Sequence, residues 1–263
     1  MSRNSVLVLS FVFLTLLGAM TISCGGSYGS GGGNTGPYNV VGNWQATFSA
    51  NVGATTVGYG AIDSSGLGAV FDTSGNIVQL PTITGAKSFS GNLTAYAVNG
   101  TFFTGGAVSV TDTAQGNVSS ATSITGAFTG SPSGTFSAAP FSPLSGSVVA
   151  ISGAMNGKIT GFVDTLQLTF SSNGSFTGAD FAGPGSTCNV NGTLTQEGTN
   201  NVFDVTYNEG PGSCSPNTQT GIAFESKTDY FNVNGGADAT YLYMILLTST
   251  AAQVRPYVVI IYQ

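Results

Sequence analysis

Short runs in which apolar and polar residues alternate follow one another along most of the chain. Leu166, Leu168 and Phe170 alternate with polar residues, and the stretch 203–207 has the same pattern. A period of two is typical of a β-strand with one buried and one solvated face. No stretch beyond the N-terminal segment has a helical period. The pattern predicts an all-β, antiparallel protein, folded as a small up-and-down barrel or a sandwich.

Glycine-containing dipeptides that favour tight turns separate these runs. Asn173-Gly174 lies between two strand-like segments and predicts a hairpin. Further turns are predicted at Asn99-Gly100, Asn156-Gly157, Asn191-Gly192, Asn234-Gly235, Ser65-Gly66 and Ser74-Gly75.

The last two predicted strands, 241–247 and 257–262, are apolar at successive positions. Both of their faces are therefore expected to be covered. We interpret this as burial within the chain, as in central strands. A partner interface and a lipid-facing surface are the alternatives.

Two prolines interrupt the strand pattern near the middle of the chain, at Pro140 and Pro143. They predict two closely associated all-β halves, 38–143 and 144–263. The second half has room for about eight short strands, which suits a barrel or sandwich that hides its edges.

The N-terminal segment has the three parts of an export signal. Arg3 supplies a positive start, 6–20 are mostly apolar, and small residues lead to Cys24. The apolar run is too short for an ordinary membrane-spanning helix. Thr21-Ile22-Ser23-Cys24 resembles the lipobox of bacterial lipoproteins, although Thr21 stands in place of the preferred Leu. An ordinary signal peptide, cut nearby, is the alternative.

The resemblance implies that residues 1–23 are removed and that Cys24 carries acyl chains, which anchor the protein to a membrane. Residues 24–37 then form a flexible Gly/Ser tether. In Gram-negative lipoproteins an Asp after the Cys favours the inner membrane. Gly25 occupies that place, so we expect an exported protein of the bacterial cell envelope, anchored at the outer membrane and facing the periplasm or the cell surface.

The chain carries very little charge, with five basic and eleven acidic residues among 263. Nucleic-acid binding depends on clustered Lys and Arg, so we expect no nucleic-acid partner. Seven of the acidic residues lie between 180 and 238. We interpret them as a solvated rim of loops, with attraction of cations as the alternative. The chain has no histidine, which excludes Ser-His and Cys-His catalysis and His-ligated zinc.

Three cysteines leave a single pair once Cys24 is lipidated. Because an exported protein meets an oxidising compartment, Cys188 and Cys214 are predicted to form a disulfide. No cofactor is expected.

Carboxylates and side-chain oxygens offer two weaker candidates for chemistry. Asp204 with Glu225 or Asp229 is a possible pair for a glycoside hydrolase that uses carboxylates alone. A calcium site is the second candidate, and its oxygen ligands would come from Asp229, Asn232, Asn234 and Asp238. The spacing of these four residues fits no established calcium loop, so no metal site is predicted.

Two further resemblances bear on the fold. Gly42-Asn43-Trp44 opens the first strand and resembles the Gly-x-Trp signature of lipocalins, which implies an eight-stranded barrel around a small apolar ligand. From Leu166 onward, the succession of short strand-like runs and turns, together with the Cys pair, resembles uncharacterised Gly/Ser-rich bacterial envelope lipoproteins. That likeness implies an all-β lipoprotein with a disulfide and brings no catalytic residues.

These observations lead to one expected function and two alternatives. We expect a lipid-anchored envelope lipoprotein that is not an enzyme and acts as a binding or surface-display module, with a saccharide or a protein as partner. The first alternative is a lipocalin-like carrier of a small hydrophobic ligand. The second is a structural or adhesive Gly-rich surface protein, which a parallel β-solenoid would favour.

Overall fold

The computed structural model describes residues 37–262, apart from residues 52, 54, 104, 131, 142–151, 163, 182–185, 199–200, 213, 235–238 and 252–254. The predicted export signal, Cys24 and the tether before residue 37 lie outside the described residues, as do Pro143 and Asp238. Among the described residues, no helix has the length and apolar character that a membrane span requires.

The described residues form two closed antiparallel barrels of eight strands each, so the predicted all-β fold in two halves is confirmed. Barrel 1 consists of β1 (Gly42–Ala50), β2 (Thr55–Ile62), β3 (Gly68–Phe71), β4 (Ile77–Gln79), β5 (Ser88–Tyr96), β6 (Ser109–Ser120), β7 (Ser123–Thr129) and β8 (Gly134–Pro140). Barrel 2 consists of β9 (Gly153–Ile159), β10 (Thr165–Phe170), β11 (Ser175–Phe181), β12 (Cys188–Gln196), β13 (Val202–Gly212), β14 (Asn217–Ser226), β15 (Tyr241–Ser249) and β16 (Tyr257–Tyr262).

Each barrel closes by pairing its first strand with its last. In barrel 1 β1 pairs with β8, and in barrel 2 β9 pairs with β16. All other neighbours are consecutive in the chain, which is the up-and-down order. Since every strand pair in these barrels is antiparallel, the parallel β-solenoid alternative is wrong. Closure also removes the exposed edges that an open sheet would carry.

The turn predictions succeed where Gly adopts a positive φ and fail inside two strands. Asn173-Gly174 makes the predicted hairpin between β10 and β11, with φ of 83° at Gly174. Asn156-Gly157 and Asn191-Gly192 instead lie within β9 and β12. A Cβ on Gly192 would lie 2.3 Å from the Phe176 ring, so this glycine gives room to a neighbouring side chain rather than turning the chain.

The successive apolar residues of β15 and β16 are covered on both faces, as predicted. Alternate residues, such as Met244 and Val259, face the interior of barrel 2. The residues between them, such as Tyr243 and Ile260, pack against residues of barrel 1. These strands therefore serve as a wall of one barrel and as the surface that joins it to the other.

Aromatic side chains dominate the contact between the barrels. Phe71 of barrel 1 lies 5.2 Å from Tyr243 and 5.9 Å from Phe224 of barrel 2, measured between ring centroids. Tyr59 stacks on Tyr230 at 4.1 Å. Burial of this much aromatic surface favours a fixed arrangement of the two barrels.

Trp44 faces the interior of barrel 1 near the start of β1 and is 2% exposed. Its indole N–H donates a hydrogen bond of 2.7 Å to the carbonyl oxygen of Val40. Tyr38 and Val40 pack on the same core, and the amide of Tyr38 donates to the carbonyl of Gly85. The segment before β1 thus covers this end of barrel 1.

The predicted disulfide between Cys188 and Cys214 is present. It joins the first residue of β12 to the segment between β13 and β14. These elements meet at one end of barrel 2, which also holds the side chains of Asp180 and Glu209.

Candidate functional site

One end of the barrel 2 interior is lined by polar side chains rather than by the aliphatic residues that fill its middle. We call this set the polar end, and it comprises Asp164, Asp180, Tyr207, Glu209, Asn217, Gln219 and Tyr257. Tyr207 and Asp180 are deeply buried: Tyr207 is 0% exposed and Asp180 is 4% exposed. Asp164 and Glu209 are half-buried, at the side nearer to solvent.

The antiparallel order brings these residues together although they are far apart in the sequence. In β11 the inward positions run from Phe176 through Gly178 to Asp180, and in β13 they run from Tyr207 to Glu209. The register pairs Tyr207 with Gln219 and Glu209 with Asn217 on β14. Since side chains alternate between faces, all of them point into the barrel at the same end.

A chain of hydrogen bonds fixes part of the polar end. The Gln219 side-chain amide donates to the Tyr257 hydroxyl, and that hydroxyl donates to Oε1 of Glu209 over 3.3 Å. Oδ1 of Asn217 accepts from the Ser249 hydroxyl over 2.7 Å and so holds the end of β15. These bonds order the side chains before any ligand arrives.

Three deeply buried polar atoms at the polar end have no hydrogen-bond partner. They are Oδ1 of Asp180, the hydroxyl oxygen of Tyr207 and Nδ2 of Asn217. Nδ2 of Asn217 faces the Glu209 carboxylate, whose pKa it lowers, so the two atoms left for a ligand are those of Asp180 and Tyr207. Leaving a buried polar group unpaired costs about 1–3 kcal/mol, so such groups are rare in a packed interior unless a ligand or a water molecule meets them.

Burial and mutual repulsion raise the pKa values of the acids at the polar end. Burial, followed by the charges of Asp164 and Glu209, raises the pKa of Asp180 to about 7. Burial also raises the pKa of Glu209, although the hydrogen bond from Tyr257 acts in the opposite direction. The pKa of Tyr207 is raised by burial and then by the charges of Tyr257, Glu209, Asp180 and Asp164.

The basic residues of the described chain do not compensate these acids. No Lys or Arg contributes to the pKa of Asp164, Asp180 or Glu209. Lys227 donates to the Thr240 hydroxyl, and Arg255 lies 5.2 Å from the centroid of the Phe102 ring. The polar end is therefore an acidic cluster without a counter-ion from the described residues.

An exposed aromatic side chain contacts the polar end. Phe162 is 44% exposed, and its ring makes an edge contact with Tyr257 at a centroid distance of 5.8 Å. Deeper in the barrel, Tyr207 lies 6.1 Å from Phe176. The acids are thus combined with aromatic walls.

A second buried acid lies at the opposite end of barrel 2. Glu225 is 1% exposed, and neither of its carboxylate oxygens has a hydrogen-bond partner. Burial raises its pKa to about 7, and the charge of Lys227 acts in the opposite direction. Glu225 stands apart from the polar end, at the other end of the same barrel.

The structure separates Asp204 from Glu225, one of the two carboxylate pairs considered for glycoside hydrolysis. Asp204 is exposed on the outer face of β13, whereas Glu225 faces the interior. Partial loss of hydration, then a hydrogen bond and the charge of Glu197, raise the pKa of Asp204 to about 6, with a smaller effect from Asp63. The two carboxylates do not share a face of the sheet.

The calcium candidates are described only in part, since Asp238 lies outside the described residues. The two carboxylate oxygens of Asp229 accept hydrogen bonds from the amides of Val233 and Asn234, over 3.0 and 2.9 Å. Asn232 adopts a positive φ of 52° in this turn. Among the described residues there is no group of three acidic or cysteine side chains suited to a metal ion.

Sequence reasoning missed the polar end, because the acids between 180 and 238 were interpreted as a solvated rim. The structure buries Asp180 and Glu225, so that interpretation is wrong for these two residues. A signal was present in β13, where the alternation of Phe203, Val205 and Tyr207 puts Glu209 on the same inward face.

Comparisons with known proteins found no relative of this chain. No protein-family model matches the chain, and neither the curated proteins nor the solved structures include a match to it.

Proposed function

We propose that the chain is a lipid-anchored protein of the bacterial cell envelope that acts as a non-enzymatic binding module, with the polar end of barrel 2 as its binding site. The observation that carries the binding function is the pair of unpartnered polar atoms, on Asp180 and Tyr207, deep inside a closed barrel. A few ordered polar groups among aromatic side chains are typical of small-molecule binding sites.

Two features support export and anchoring. The Cys188–Cys214 disulfide suits an oxidising compartment outside the cytoplasm. The sequence before residue 37 has an apolar segment, a lipobox-like Cys24 and a Gly/Ser-rich stretch. An acylated Cys24 would hold the protein at the membrane, and the stretch that follows would let the two barrels move above it.

Replacement of Cys24 tests the anchor. In cells fed an alkyne-tagged fatty acid, the wild-type chain should take up the tag and sediment with membranes, whereas Cys24→Ala should do neither. Ser23→Ala is the matched control, because it keeps a small residue before the Cys and should remain tagged. A tag that persists in Cys24→Ala, or a wild-type chain that takes up none, would contradict lipidation.

The binding function is tested by native mass spectrometry of the full chain purified from its own envelope. A small molecule that stays bound to the wild type, and is lost from Asp180→Asn, is the expected result. A bound mass that is equally retained by Asp180→Asn would place the site elsewhere.

A carrier of a small hydrophobic ligand is the second candidate function. It is favoured by Trp44, which faces the interior of an eight-stranded up-and-down barrel beside its covered end. Trp44 is the one tryptophan of the chain, so saturable quenching of its fluorescence by an apolar ligand would report binding in barrel 1. Quenching that never saturates would argue against this candidate.

A further inference from the structure

The polar end lacks three things that a ligand would have to supply. Oδ1 of Asp180 lacks a donor, the Tyr207 hydroxyl lacks any partner, and the acidic side chains lack a positive charge among the described residues. A neutral polyol offers donors but no charge, and an anion would add to the repulsion. A ligand that carries both N–H donors and a positive charge meets all three needs.

The arrangement favours an organic cation over a metal ion. The described carboxylates include no group of three that suits one metal. The polar atoms are instead distributed over β11, β13 and β16, with Phe176 packed against Tyr207 and Phe162 against Tyr257. Aromatic faces attract organic cations, and carboxylates accept hydrogen bonds from ammonium and guanidinium groups.

The acids of the polar end lie at different depths in barrel 2. Asp164 and Glu209 are half-buried and lie nearer to solvent, whereas Asp180 and Tyr207 are buried beyond them. Glu209 is held by the hydrogen bond from Tyr257, so its carboxylate is oriented in advance. A cation would first meet the outer acids and then pair with Asp180.

We propose that the polar end of barrel 2 binds a small organic cation with a primary ammonium or guanidinium group. In the complex, an N–H of the cation donates to Oδ1 of Asp180 and further N–H groups donate to Glu209 and to the oxygen of Tyr207. This inference rests on the proposed binding function and specifies its ligand class.

Calorimetric titration of the full chain tests the inference at pH 8, where Asp180 is mainly ionised. The probes are agmatine, which carries both cationic groups, n-butylammonium, and 1-butanol as a neutral molecule of matched length. Saturable binding of at least one cation, without binding of 1-butanol, is expected. Equal binding of 1-butanol, or no saturation by either cation up to about 10 mM, a range that covers weak small-ligand affinities, would overturn the inference.

Variants locate the binding on the polar end. Asp180→Asn should weaken cation binding at least about tenfold, because it removes one partner of a buried charge pair. Glu225→Gln is the matched control, since it neutralises an equally buried acid at the other end of the same barrel, and its affinity should stay within about twofold of the wild type. Equal affinity of Asp180→Asn and the wild type would overturn the inference.

A second variant covers the case in which Asp180→Asn does not fold, and a second measurement separates the ligand class from the binding function. If Asp180→Asn does not fold, Tyr207→Phe replaces it, because this variant removes one hydroxyl and preserves the ring; a loss of several-fold is then expected, and unchanged affinity would overturn the inference. If no cation binds but an uncharged molecule is retained in native mass spectrometry, the ligand class is wrong while the proposed binding function stands.

Discussion

Barrel 1 and barrel 2 have the same number of strands and the same neighbour order, but their interiors hold different side chains. In β1, β7 and β8 of barrel 1 the inward positions are apolar or glycine: Trp44, Ala46, Phe48, Ile124, Gly126, Phe128, Gly134, Phe136 and Ala138. The one ionisable group on an inward position of the described barrel 1 strands is Asp112, which is half-buried at a barrel end. Barrel 2 has an aliphatic middle and buried acids towards both ends.

The two barrels fill the space beside their inward glycines in the same way. The ring of Phe136 covers Gly126 in barrel 1, and the ring of Phe176 covers Gly192 in barrel 2. The difference between the barrels therefore lies at their ends and not in the packing of their middle layers. In barrel 2, one of these ends carries the candidate site.

The largest expected effect tests whether the two barrels unfold together. Phe71→Ala removes the barrel 1 ring that contacts Tyr243 and Phe224, and it should lower the free energy of unfolding by about 3–5 kcal/mol. Denaturant unfolding is followed by Trp44 fluorescence, which reports barrel 1, and by circular dichroism, which reports both barrels. In the wild type the two transitions should coincide.

Phe176→Ala is the matched comparison, because it removes a ring of the same size from the interior of barrel 2. If the barrels form one cooperative unit, this variant also moves the Trp44 transition to lower denaturant. A Trp44 transition that stays at its wild-type midpoint would show that barrel 1 unfolds on its own.

The second effect concerns the disulfide, which belongs to barrel 2 alone. The double variant Cys188→Ser, Cys214→Ser should lose about 3 kcal/mol of stability, because the bond closes a loop with a sequence separation of 26. Thermal unfolding without reductant is the measurement. Cys24→Ser, which keeps the bond, is the control and should unfold at the wild-type temperature.

The smallest effect concerns the buried acid at the other end of barrel 2. The pKa of Glu225 is raised from 4.5 to about 7, so the folded chain binds more protons than the unfolded chain between these values. Stability should therefore fall as the pH rises from about 4.5 to 7. Glu225→Gln should be more stable than the wild type at pH 8, by about 1–3 kcal/mol, and should gain little at pH 5.

Denaturant unfolding at the two pH values measures this gain. Without ligand, Asp180→Asn is also expected to gain more stability at pH 8 than at pH 5, because the pKa of Asp180 is also raised to about 7. A gain of equal size at pH 5 and pH 8 would mean that the charge of Glu225 is not its cause.

The sequence allowed the strands to be predicted but not the site. Alternation identified β10 and β13, and the unbroken apolar runs identified the doubly covered β15 and β16. Local pattern could not distinguish a turn from an inward glycine at Asn191-Gly192, since the Phe176 ring that requires the glycine lies in another strand. The polar end was missed because Asp180, Glu209 and Tyr257 meet only through the closed register of the barrel.

Closure of the barrels also has a consequence for the order in which the chain acquires its structure. β9 pairs with β16, so a strand made early waits for one that emerges after all the others of its barrel. Such long-range pairing is slow to form, and until it forms β9 exposes an unpaired edge. A partly folded barrel 2 therefore presents the edge of β9 as a template for pairing with another chain, and only the addition of β16 removes it.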